Sequence, residues 1–166
     1  DTQGLLKKLK ENAQKSIDVV KNKVPNFNLY DKENINKGSY LGILDDDLSP
    51  YFKAAVGNYK ITMDAKKEFL TSNLNINKIS ELMNSHHNYL KNDLKITTPE
   101  IDKMIDVSFE NGAIGSKIVG SGGGGSIVSL STNSNTSNKI VSALNSIGVK
   151  DAFIARKGNG PTINYE

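Results

Sequence analysis

The tightest constraint on this chain is a stretch in which an apolar run enters a loop of glycines and a second apolar run leaves it: Ile118-Val119-Gly120-Ser121-Gly122-Gly123-Gly124-Gly125-Ser126-Ile127-Val128. Glycine loses more conformational freedom on ordering than any other residue. A folded domain keeps several in a row where the main chain needs conformations closed to other residues, or where something approaches it closely. Such a turn can gather successive N–H groups into one concavity suited to an anion such as a phosphate. Two plainer readings compete. Gly/Ser segments serve as flexible linkers, but a linker joins units that are complete on either side. Here Ile118-Val119 and Ile127-Val128 abut the glycines, as two strands do across a tight connection. The other plain reading is a structural hairpin with no ligand.

Composition narrows the field. At 166 residues, 37% hydrophobic and 23% charged, the chain suits one domain with a sizeable core. No apolar run approaches the ~20 residues of a membrane span, and no charged-then-apolar leader marks secretion. Cysteine is absent, which excludes disulfides, thiol catalysis and cysteine-ligated zinc. With only His86 and His87, a histidine-rich metal site is not expected. The formal charge of +3 is modest and its lysines alternate with acids, which argues against a nucleic-acid face. The expected setting is cytoplasmic. The chain begins at Asp1, without an initiator Met, and reads as a piece of something longer.

Before the glycine loop the pattern is helical. Leu5, Leu9, Ala13, Ile17, Val20 and Val24 form one stripe that Pro25 stops. Residues 26–42 are polar and read as a long surface loop, the place for disorder or embellishment. Asp45, Asp46 and Asp47 read as acids at the start of a helix over 50–71 rather than a metal cluster. Ile76, Ile79, Leu82, Met83, His86 and Leu90 form the next stripe, with His87 at its edge. Neither histidine has a Ser, Cys or Asp placed by sequence to complete a dyad, so both read as packing or capping residues. Thr98-Pro99-Glu100-Ile101-Asp102 is a helix start, and Gly112 its stop. After the loop come a strand over 126–131, a helix over 133–147, and strands over 152–156 and 162–165 around a Gly/Pro turn. The expected fold is α+β, an antiparallel sheet with helices on one face.

Three blocks of this sequence carry a family resemblance. Leu82-Met83-Asn84-Ser85-His86-His87-Asn88-Tyr89-Leu90 resembles an "LMN-x-SH-x-x-L" helix. Thr98-Pro99-Glu100-Ile101-Asp102 resembles "(S/T/C)-P-E-(L/I)-D". Residues 112–130 resemble "GA-x-G-(A/S)-K-(L/M)-T-G-x-G-x-G-G". In that order these are motifs of the C-terminal domain of the GHMP kinases, whose fold is a ferredoxin-like antiparallel sheet covered by helices. The match is strong over 55–130, fair to 165 and weak before 51. Residues 1–50 form a helix and variable loop region, and 51–166 the better-matched part. The resemblance implies a phosphotransferase that phosphorylates a hydroxyl of a small metabolite with ATP and Mg²⁺. It gives Gly120, Ser121, Gly122, Gly123, Gly124 and Gly125 a backbone role beside the nucleotide-phosphate loop and substrate. Lys117 matches the Lys or Arg before the loop.

Within the family, the length of the 91–98 segment and the long 5–51 region lean towards galactokinase and a sugar substrate. Gly123 stands where galactokinases usually carry Phe, as in mevalonate kinases, the alternative, and Val119 replaces the usual Thr. The family's "P-x-x-x-G-L-(S/G)-S-(S/A)" loop and its catalytic acid do not occur in this sequence, so no catalytic residue is assigned to it. The expectation is a substrate-side domain, inactive alone, that pairs with an N-terminal nucleotide-binding domain and otherwise self-associates. A non-catalytic ferredoxin-like binding or regulatory domain is the remaining reading.

Overall fold

A computed structural model describes residues 2–31 and 40–155. Helix α1 (Thr2–Lys23) is followed by a short 3-10 turn (Tyr40–Ile43), then α2 (Ser49–Phe69), α3 (Ile76–Asn88) and a π-helical turn (Tyr89–Asp93). Next come α4 (Pro99–Glu110), strands β1 (Gly115–Val119) and β2 (Ser126–Leu130), and α5 (Ser134–Ser146). The arrangement is α+β, helix-rich with a small antiparallel sheet. None of the described helices is long and apolar enough to cross a membrane.

Each helix start has a local cause. Asn75, Thr98 and Asn133 cap α3, α4 and α5 by accepting from Lys78, Ile101 and Thr136 N–H. Glu100 and Asp102 occupy the first turn of α4, and Glu100 sits below the usual carboxylate range through its own backbone N–H and Thr98. The three aspartates behave differently from expectation. They precede α2 by a turn: the Asp45 carbonyl accepts from Leu48 and Ser49 N–H, and the first turn of α2 holds no acid. Gly112 and Gly148 carry positive φ just beyond α4 and α5, which is how those helices stop.

Two other expectations need correction. The 26–42 region is not simply surface, because Phe27 is buried beside Val20, Leu44, Leu48 and Phe52. Its ring lies edge-on to Tyr40 at 5.1 Å and 5.8 Å from Phe52. Aromatic burial outweighed a polar composition; residues 32–39 lie outside the described residues. Of the strand expected over 152–156, the described residues 152–155 carry no regular structure, and Phe153 is 74% exposed; residue 156 lies outside the described residues. A strand depends on backbone pairing with a neighbour, which an apolar run in the sequence does not by itself fix. The strand expected over 162–165 lies outside the described residues.

Among the described residues the sheet is the pair β1–β2, in the register Gly115↔Leu130, Lys117↔Val128 and Val119↔Ser126. Side chains alternate across it. Ile118 and Ile127 join Leu90, Ile96, Ile101 and Ile105 in a core against α4, with Leu5 and Leu9 of α1 packed on it. The stripe of α1 therefore serves two cores, since Val20 belongs to the Phe27 cluster. Helix α3 closes on β1 so tightly that a Cβ at Gly115 would lie 3.0 Å from Ser80 Cα.

Candidate functional site: the glycine hairpin

The loop joining β1 to β2 turns by positive φ at Gly120 and at Gly122, Gly123, Gly124 and Gly125. Its glycines divide by surroundings. Gly122 is buried, and a Cβ there would stand 2.6 Å from the Ile96 carbonyl oxygen. The next N–H, from Gly123, donates to that same carbonyl at 2.9 Å. Lys95, at φ +52°, turns Ile96 towards the loop, and Ile96 N–H is held by the Leu90 carbonyl. Beside it, a Cβ at Gly123 would meet Leu5 of α1 at 3.9 Å. Gly120, Gly124 and Gly125 have open space where a Cβ would project. The hairpin is thus anchored in its middle and open on either side.

Asn84 explains why the hairpin sits where it does. Its amide donates to the Ile114 carbonyl at 3.1 Å and accepts from Ser116 N–H at 3.0 Å. One side chain of α3 thereby stands in for a neighbouring strand along the outer edge of β1, satisfying groups that would otherwise be orphaned. The sequence signal for this role is a polar residue next to Leu82 and Met83 in the apolar stripe of a helix. Across the sheet, the Ser116 and Ser129 hydroxyls bond at 2.8 Å.

Lys117 lies half-buried on the opposite face from Ile118, its Nζ donating to the Ile118 carbonyl at 2.7 Å. Burial lowers its pKa. His86 is half-buried and its pKa is lowered first by burial, then by the charges of Lys117 and His87. His87, read as an edge residue, is the buried one, only 6% exposed. Burial is the largest cause of its lowered pKa; Asp102 and Asp106 oppose the shift, and Lys91 and Lys117 add to it. Asp102 pairs with Lys91 at 3.1 Å. The expected packing role of these histidines therefore holds for His87, while His86 faces a groove with Lys117.

Residues 67–150 match the family model described as "GHMP kinases C terminal". The chain belongs to the GHMP kinases. That match covers α3, α4, the glycine hairpin and α5. Several galactokinases are similar to it. The Bacillus subtilis galactokinase is 39% identical over 57 residues, covering 34% of this chain and 15% of the relative. The Actinobacillus succinogenes galactokinase is 33% identical over 92 residues, 54% of this chain and 23% of the relative. The Clostridium perfringens galactokinase is 28% identical over 114 residues, 65% and 29%. This GHMP kinase chain thus spans less than a third of the length of the galactokinases it matches.

Proposed function

We propose that the chain is the substrate-side part of an ATP-dependent sugar kinase of galactokinase type, completed by an N-terminal nucleotide-binding domain. The observation that carries this reading is the glycine hairpin, with open space where a Cβ would project at Gly120, Gly124 and Gly125 beside an anchor at Ile96. Phosphoryl transfer demands positioning and charge stabilisation on the moving phosphate, from Mg²⁺, a Lys or Arg, and N–H donors. Gly120, Ser121, Gly124 and Gly125 would offer donors to the partner domain's phosphate loop or the substrate. Gly122 and Gly123 hold the loop in place, and Lys117 adds positive charge three residues before it. ATP and Mg²⁺ would be held mainly by the partner domain, so the chain alone is expected to be inactive. The mevalonate kinase-like alternative rests on Gly123, which in galactokinases is usually Phe.

The test is ADP release by the chain covalently joined to its N-terminal half, with galactose, other hexoses and mevalonate as acceptors. Galactose-dependent release supports the reading. Release with mevalonate alone transfers the chain to the alternative, and a folded protein inert towards every acceptor overturns both.

A further inference from the structure

Away from the hairpin tip, α2, α3 and β1 enclose a groove of about 440 Å³. Ala65 and Phe69 of α2 and Met83 of α3 contribute apolar walls, and the ionisable groups that line it, Lys66, His86 and Lys117, are all basic. Among the described residues, no carboxylate lines it. Neither Lys117 nor His86 belongs to any of the ion pairs among the described residues. The Lys117 ammonium has three donors, one of which bonds the Ile118 carbonyl. An ammonium beside apolar walls is costly unless an anion pairs with it. An apolar cleft of a few hundred Å³ with convergent polar groups at one end is the usual form of a small-ligand site.

We propose that this groove binds a medium-chain aliphatic carboxylate, its tail between α2 and α3 and its head against Lys117 Nζ and the His86 ring. The charge complementarity is one-sided: among the described lining residues, two ammonium groups and a basic imidazole with no acid favour an anion over a neutral or cationic amphiphile. An anion there would also return Lys117 and His86 towards their charged forms, which burial disfavours. The proposal does not depend on the kinase reading. Lys117 is shared between the two, so the discriminating variants are at Ala65 and Thr62, which line only the groove.

Methyl-labelled methionine gives a local readout, because Met83 lines the groove while Met104 packs against the Ile101 and Ile105 core. In titrations of the chain with hexanoate, octanoate and decanoate, the Met83 signal should shift saturably and Met104 should not. Each added methylene should tighten binding roughly three- to four-fold. Decanol should bind at least about ten-fold more weakly than decanoate, a modest charge-pair contribution, and Lys117→Gln should bring decanoate to the decanol value. Ala65→Phe should abolish the Met83 response. Thr62→Trp, from the groove's exposed rim, serves the same purpose, each variant being checked for native circular dichroism. Equal response to decanoate, decanol and decyltrimethylammonium overturns the proposal, as does decanoate binding that survives both groove-filling variants. A Met83 shift that grows with protein concentration in the absence of ligand gives the groove to a second copy of the chain and equally overturns it.

Discussion

An added Cβ at Gly122 meets the Ile96 carbonyl at 2.6 Å, whereas at Gly124 it meets nothing within 4 Å. Both residues have positive φ, so alanine at either site bears the left-handed penalty of about 1–2 kcal/mol. Gly122→Ala adds overpacking of about 1–3 kcal/mol against backbone that cannot swing away. We expect Gly122→Ala to lower the melting temperature by roughly 5–10 °C and Gly124→Ala by about half that, at roughly 2–4 °C per kcal/mol. In the complete enzyme the order reverses for turnover: Gly124→Val should lower it on the order of 100-fold through a displaced loop. Wild-type turnover in a folded Gly124→Val enzyme would remove the phosphate-loop assignment. Asn84 offers an independent residue-scale test. Asn84→Leu preserves bulk but leaves the Ile114 carbonyl and Ser116 N–H without their partner. A loss of about 2–6 kcal/mol in denaturant unfolding is expected, from about 1–3 kcal/mol for each of the two unsatisfied groups.

At the scale of the element, α3 is amphipathic with two consecutive histidines near its end, and its contacts decide which is buried. His87 is buried, within electrostatic reach of Asp102 and Asp106 of α4, Lys91 of the π-helical turn and Lys117 of β1. His86 turns to the groove. Both have folded-state pKa values lowered, chiefly by burial. A histidine whose folded pKa is depressed favours the neutral native state, so the unfolded chain binds more protons as pH falls. Its stability contribution is therefore fully present above about pH 6.5, the ordinary histidine value, and is lost as pH falls towards the folded pKa. Melting measured at pH 7.5, 6.5 and 5.5 should show a progressive decline across that range, and His87→Gln should flatten the part due to His87. An unchanged slope in a folded His87→Gln variant would show that His87 is not the titrating group.

Considered whole, the molecule has one well-enclosed sheet face and one thinly covered. Ile118 and Ile127 lie in the core, while Val119 and Val128, on the other face, are 47% and 43% exposed. Nearby in sequence to α5, Phe153 and Ile154 are also exposed. Exposed apolar surface of this kind drives association. Light scattering on the chain should show mass rising with concentration, and Val128→Lys should suppress the rise by placing a charge on that face. A wild-type chain that stays monomeric at high concentration would count against a covering partner.

Period and punctuation were legible from the sequence because their causes are local. Thr98 and Pro99 start a helix wherever they fall, Gly112 ends it, and glycines between two apolar runs make a hairpin with positive φ. The family motifs were legible for the same reason: they are short, contiguous and ordered. Which neighbour each face would meet was decided only in three dimensions. The burial of Phe27 depends on Val20 and Phe52, contributed by two different helices. The anchoring of Gly122 and Gly123 depends on Ile96, some twenty-six residues earlier in the chain. That His87 rather than His86 is buried depends on where α4, the π-helical turn and β1 bring Asp102, Asp106, Lys91 and Lys117 around it. The amide of Asn84 became part of a sheet edge because α3 packs close enough to β1 for a side chain to replace a strand. Local preferences act through bonds along the backbone; these outcomes act through space, between segments whose separation in sequence carries no trace of their contact.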